Sequence, residues 1–232
     1  MRILRPAAER GRTRIGWLDS RHTFAFGEYR DEQWNSFRAL RVINDDLVEP
    51  GMGFGTHGHR DMEIITWVLD GSLEHRDSTG GGGILKPGDV QVMTAGTGIR
   101  HSEFNASKTE VSHFLQVWIQ PDRAGEKPAY GQAHVPAAER SGRWAVLAAG
   151  GDRPAAVRIA ADAAVQVASL EPGQRLDHAI ATGRHAWLHV ARGNVVVDGQ
   201  ALEAGDAIGV SLEPGLAIQA TTAAEVMLYD LA

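Results

Sequence analysis

The sequence predicts an all-β fold of antiparallel strands, closed as a sandwich or small barrel. Three observations predict it. Runs of β-branched and aromatic residues follow one another at close spacing. Glycine, at 27 of 232 residues, is spread through the chain and falls at the turns between those runs. The order of turns in the first half also recurs in the second, which predicts two such units in tandem.

The elements of the first half follow in order. Phe37 to Asn44 alternates apolar and polar residues and stops at Asp45-Asp46. Met62 to Leu69 is rich in β-branched residues and ends at Asp70-Gly71, a hairpin signal. Leu73 to Asp77 is short and runs into Ser78-Thr79 and the glycines 80–83, which predict a flexible turn. Lys86-Pro87-Gly88-Asp89 is a second turn, followed by the strand Val90 to Met93. Val111 to Gln120 is a long strand ended by Pro121. Residues 121–143 hold three prolines, three glycines and many charges, and predict a linker with a short helix near Pro136 to Ser141.

A second β-rich block runs from Trp144 to Ala232. Pro50-Gly51, Asp70-Gly71 and Gly88-Asp89 mark the turns of the first block; Pro172-Gly173, Arg192-Gly193 and Gly205-Asp206 mark those of the second. The expected domains are therefore 1–130 and 131–232.

Composition removes several functions. A net charge of −6 argues against a nucleic-acid-binding surface, and leaves a protein partner open. No cysteine is present, so disulfides and thiolate metal sites are excluded, and any metal must rest on histidine and carboxylate. Met1 to Trp17 carries five arginines but no apolar stretch of a secretory signal, and no apolar run approaches a membrane span. A cytoplasmic protein with no membrane contact is the expectation.

The most informative feature is two short pairs, His57-Gly58-His59 and His101-Ser102-Glu103. On a strand, residues i and i+2 share a face and sit about 6.5–7 Å apart along the backbone. On a helix the same spacing would turn the side chains roughly 200° apart and could not chelate. Three nitrogen donors and one oxygen donor on neighbouring strands suit one divalent transition metal. Either pair by itself also fits two surface histidines on a strand, and Glu103 could instead cap a turn or pair with Arg100. Glu63, four residues beyond His59, falls on the same strand face as a polar neighbour of the site.

Longer stretches carry a family resemblance. Gly51, His57-Gly58-His59, Glu63 and Gly71 resemble the first cupin motif, and Gly88-Asp89, Gly96, His101 and Asn105 the second, with sixteen residues between Gly71 and Gly88. The wording of 53–63 and 88–103, with Leu73 to Ser78 and His22 to Gly27, is similar to the pirin family, and most similar to its bacterial, quercetinase-like members. The resemblance is specific over about 17–132 and loose beyond.

It implies an all-β fold of two tandem cupin β-barrels, with the metal in the N-terminal barrel. It implies His57, His59, His101 and Glu103 as metal ligands. Gly58 stands where the family usually has proline, and the second block lacks the motif, so the C-terminal barrel is expected to be metal-free. The implied reaction is that of a quercetin 2,3-dioxygenase, with a flavonol and dioxygen as substrates and Glu103 as general base. Iron(II) is the first expectation for the metal; manganese, nickel, cobalt, copper or zinc would suit the same donors. The alternative is a non-catalytic, metal-binding regulator that acts through protein partners.

The remaining candidates have plainer readings. His75 and His113 lie on strands, and most such histidines are satisfied core or surface residues; His22 is similar. His185 and His189, four apart on a strand, lie about 13 Å from one another and cannot chelate together. The glycines 80–83 lack the following lysine of a phosphate loop. Phe24, Phe26, Phe54, Met62, Trp67 and Met93 are candidates to line an aromatic pocket, though such residues are more often plain core.

Overall fold

The computed structural model describes all 232 residues, Met1–Ala232. Strands dominate; helix is confined to single turns at Ala7–Glu9 and Ala137–Arg140. No helix is long and apolar enough to cross a membrane. The chain divides into two units. The site unit holds Gly11–His134 and Ala148–Asp162, and the second unit holds Met1–Arg10, Val135–Leu147 and Ala163–Ala232.

The first strand, β1 (Arg2–Arg5), belongs to the second unit. The site unit continues with β2 (Gly11–Ile15), β3 (Leu18–His22), β4 (Leu40–Val48), β5 (Gly53–His59), β6 (Glu63–Asp70) and β7 (Leu73–Asp77). Then come β8 (Gly82–Leu85), β9 (Asp89–Thr94), β10 (Ile99–Asn105), β11 (Ser112–Ile119) and β12 (Ala129–His134). They form a seven-stranded sheet, β12-β9-β6-β11-β4-β3-β2, and a four-stranded sheet, β5-β10-β7-β8.

β6 explains why the larger sheet forms. Its sequence EIITWVLD is buried at every position but the last, because β9 and β11 flank it and both of its faces are covered. The face that holds the site has a pattern of its own. Ile64 and Val68 bracket Thr66 on β6, and Phe114 and Trp118 bracket Gln116 on β11. The apolar ends pack into two separate clusters, one around Ile64, Met93 and Ile99, the other around Val68, Leu73 and Phe114. Thr66, Gln91, His101 and Glu103 are nonetheless buried, so a polar layer lies within the unit. Apolar packing at both ends of each strand offsets the desolvation of these polar groups.

The second unit adds β13 (Ala145–Ala149), whose last two residues pair with β14 (Val157–Arg158) inside the site unit. It continues with β15 (Ala163–Leu170), β16 (Arg175–Ala179), β17 (His185–Arg192) and β18 (Asn194–Val197). It closes with β19 (Gln200–Glu203), β20 (Ala207–Ser211), β21 (Gly215–Ala220) and β22 (Ala224–Leu231). Its small sheet runs β16-β21-β18-β19, the counterpart of β5-β10-β7-β8. The repeated order of turns therefore corresponds to a repeated sheet. Leu176 of β16 packs with Leu216 and Ile218 of β21 in an apolar core.

Three sequence expectations need correction. The strand expected over 37–44 is β4, which runs through Asp45 and Asp46 to Val48. Asp45 accepts a hydrogen bond from His113 Nε2 at 2.7 Å, and Asp46 lines the site cavity, so neither acidic residue ends the strand. The expected linker contains β12, which pairs with β9 along its length. The glycine turn is tied down. The Asp77 carboxylate accepts from the Thr79 N–H at 2.7 Å, the Thr79 hydroxyl at 2.6 Å and the Gly81 N–H at 3.1 Å.

Candidate metal centre

β5 and β10 pair antiparallel, with His101 opposite His57 and Ile99 opposite His59. Between His101 and Glu103 the register shifts, so Glu103 faces Phe54. β5 therefore spends three residues where β10 spends two, a bulge at Gly55-Thr56. In an unbroken strand Phe54 and His57 would point to opposite faces; across the bulge both line the same cavity. Glycine is required just before it. A Cβ on Gly53 would stand 2.2 Å from the Glu103 carbonyl oxygen and 2.5 Å from the Phe104 Cα. At Gly58 a Cβ would meet the Ile99 carbonyl at 3.6 Å and Arg100 Cγ at 3.9 Å, both ordinary contacts, so packing makes no such demand there.

The three imidazoles converge. His101 Nε2 lies 2.9 Å from His59 Nε2 and 3.0 Å from His57 Nε2. His57 donates its Nδ1–H to the Gly55 carbonyl at 2.8 Å, which leaves Nε2 with its lone pair. His59 packs edge-on against Trp118, with ring centroids 4.8 Å apart. Two bonds of about 2.1 Å at right angles span about 3.0 Å, so these spacings fit adjacent ligands of one ion.

Burial governs the charges. It pushes His101 down to about 2, helped by the neighbouring His57, His59 and His75. Burial and then His57 push His59 down to about 4. Both rings are neutral near pH 7, the state a metal ligand requires. Burial pushes the Glu103 carboxyl up to about 7, against the pull of a hydrogen bond from Gln116. That bond, Gln116 Nε2 to Glu103 Oε2, is 2.7 Å long. Trp118 Nε1 donates to Gln116 Oε1 at 3.1 Å, which sets the orientation of the amide. Glu103 Oε1 is buried and makes no hydrogen bond of ordinary length, although Thr66 and Gln91 lie near enough to favour its charged form.

His57, His59 and His101 form one group whose ligand atoms lie within 4.8 Å of one another; His75, His101 and Glu103 form another. His101 belongs to both. Glu103 thus lies close to His101 and His75, and it lines the same cavity as His57 and His59. The donor set and the orphaned carboxylate oxygen fit a divalent cation. The sequence marks His75 only as a strand histidine, yet it is fully buried beside His101 and Glu103.

Glu63 is elsewhere. Asp61, with a φ of 48°, breaks the strand after His59 and donates its N–H to the Gly96 carbonyl. Glu63 therefore begins β6, in the other sheet, and does not share a strand face with His59. Its Oε2 accepts from Thr94 Oγ1 at 2.8 Å, and burial pushes its carboxyl from 4.5 up to about 7. A carboxyl whose folded value is raised contributes stability below its unfolded value and loses it as pH climbs through the folded one. Glu63→Gln is therefore expected to be neutral at pH 4 and to gain up to about 3 kcal/mol over the natural protein by pH 9. Denaturant unfolding at both pH values measures this; a pH-independent difference contradicts it.

A cavity of about 600 Å³ opens on the cluster. Trp17, Phe26, Phe54 and Trp118 supply its aromatic walls; Thr13, His22 and Asn44 supply a polar one. His22 Nε2 lies 2.8 Å from Thr13 Oγ1, and its Nδ1 lies 2.8 Å from Asn44 Oδ1. Of the aromatic candidates, Phe26 and Phe54 line this cavity, and Met62 lines an adjoining one. Phe24, Trp67 and Met93 are core. His113, His185 and His189 do not line the cavity.

Comparison with known proteins follows the same outline. The family model described as Pirin matches residues 4–119, and the one described as Quercetinase C-terminal cupin domain matches 146–231. The chain is 43% identical over 231 residues to quercetin 2,3-dioxygenase of Escherichia coli (strain K12), covering 100% of this chain and 99% of that protein. It is 42% identical over 218 residues to a pirin-like protein of Caulobacter vibrioides, covering 94% of each. The crystal structure of the bacterial pirin YhhW from Escherichia coli in complex with nickel(II) superposes with a TM-score of 0.93 at 41% identity, covering 100% of this chain and 99% of that one.

Proposed function

This chain belongs to the pirin family and comprises two cupin domains, and on that premise we propose that it is a metal-dependent dioxygenase that opens the heterocycle of flavonols. One observation carries the proposal: three imidazole nitrogens converge, a buried carboxylate lies beside one of them, and His57, His59 and Glu103 line a cavity with aromatic walls. The similarity to a quercetin 2,3-dioxygenase over the whole chain supports the substrate class.

His57, His59, His101 and Glu103 would hold one divalent transition ion. Iron(II) is our first assignment; nickel stands close behind it because a relative binds nickel(II). When bound, the ion supplies Lewis acidity toward an enolate oxygen and, if redox-active, a path for electrons to dioxygen. The chain does the rest. Trp17, Phe54 and Trp118 clamp the flat rings and exclude water. Glu103 accepts the flavonol 3-hydroxyl proton on a second lone pair of Oε1, the oxygen that would also face the ion, while Gln116 holds Oε2. We assign the ion to the domain at 1–130 and none to 131–232, since Leu176, His178, Leu216 and Ile218 occupy the small-sheet strands there.

The test is dioxygen uptake with quercetin, run beside the loss of flavonol absorbance. Protein loaded with iron(II) or nickel(II) is expected to consume both in step, and chelator-treated protein neither. Equal traces from loaded and chelated protein overturn the proposal. No uptake with any flavonol would favour the metal-binding regulator with a protein partner.

A further inference from the structure

Behind His101 lies a second pair of side chains that the reaction above does not use. On its free side β10 pairs with β7, which sets His101 opposite Asp77 and Glu103 opposite His75. His75 and Asp77 are two residues apart on β7 and share a face. Both side chains are fully buried. His101 Nδ1 lies 3.4 Å from His75 Nδ1, and His75 Nε2 lies 3.2 Å from Asp77 Oδ2.

We propose that His75 and Asp77 form a relay that fixes the tautomer of His101 and strengthens its Nε2 as a metal donor. The proposal rests on the reading of His101 as a ligand. The protons can be assigned from one end. Three donors, the Thr79 N–H, the Thr79 hydroxyl and the Gly81 N–H, converge on Asp77 Oδ1, so this carboxylate only accepts. His75 must therefore carry its proton on Nε2 and donate it to Asp77 Oδ2. A neutral His75 then has a lone pair on Nδ1, which accepts from His101 Nδ1–H. His101 is left with its lone pair on Nε2, the nitrogen that faces His57 and His59.

The surroundings hold this order. Tyr130 stacks on the His75 ring, with centroids 5.0 Å apart and planes 20° from parallel. Its hydroxyl donates to Gln132 Oε1 at 2.9 Å. Gly81 closes the turn over the pair; a Cβ there would stand 2.5 Å from Asp77 Oδ2 and 2.7 Å from Tyr130 Cβ. Two of the ligand rings are thus supported differently. His57 leans on a neutral carbonyl, whereas His101 leans, through His75, on a full negative charge. An anionic partner behind a ligand imidazole raises its basicity and orients the ring. His75 and Asp77 act as positioning residues, the first and second groups behind His101.

Two measurements test the relay. Long-range proton–nitrogen NMR on the natural protein loaded with zinc(II), which is diamagnetic, reads each tautomer directly. His75 is expected to carry its proton on Nε2 and His101 on Nδ1; a proton on His75 Nδ1 overturns the relay. Nickel(II) affinity, measured by chelator competition, is the second readout. His75→Phe keeps the stacking on Tyr130 and is expected to weaken binding 10–100-fold. His75→Gln, which can accept with Oε1 and donate with Nε2, is expected to recover most of that loss. Unchanged affinity in His75→Phe overturns the relay while leaving the metal centre intact. Failure of the natural protein to bind either ion overturns the centre itself, and the relay with it.

Discussion

Replacing His101 with alanine is expected to abolish the thermal protection given by divalent metal. An ion that binds only the folded state at 100 times its dissociation constant stabilises by about 2.7 kcal/mol. For a protein of this size that is a rise of roughly 5–10 °C in the melting midpoint. His101 is the residue shared by both ligand groups, and its Nε2 lies within 3.0 Å of the other two imidazoles. Without it the two groups of donors lose the residue they share. Melting curves of the natural and variant proteins, with and without nickel(II), make the comparison. A variant that still gains the full shift would place the metal elsewhere.

Glu103→Gln is expected to separate chemistry from binding. The amide keeps the shape of the carboxylate but cannot take up a proton. Flavonol turnover should fall about 10²–10⁴-fold, the usual contribution of a positioned base. Metal content should fall far less, because His57, His59 and His101 remain. The ratio of turnover to bound metal is the quantity to measure. Turnover at the natural rate would remove Glu103 from the role of base.

The convergence of His57, His59 and His101 is legible in the sequence because it needs only the two-residue period of a strand and two such strands side by side. The hairpin at Asp70-Gly71 and the strands beside it are legible for the same local reason. Glu63 shows where counting fails: a residue four places on shares a face only if the strand continues, and the positive φ of Asp61 breaks it. Asp45 and Asp46 look like a stop because acidic residues disfavour strands, yet pairing with β3 on one side and β11 on the other holds them inside β4. His75 is hidden for a topological reason. Its alternation within Leu73 to Asp77 is visible, but its neighbour, His101, is set by the order β5-β10-β7, which no local pattern specifies.

The offset between β5 and β10 has a consequence for how such a protein can be retooled. Upstream of it stand Gly53 and Phe54, part of the wall a substrate would touch; downstream stand the two histidines. The surplus residue absorbs the phase difference between the two segments. Exchanges at Phe54 can recast which guest is admitted without disturbing the chelating arms, whereas Gly53 is held to glycine by the Glu103 backbone. A one-residue deletion at Gly55-Thr56 would restore ordinary pairing and turn Phe54 outward while His57 stayed in place. Selectivity and ion capture are thus separately adjustable along a single seven-residue strand.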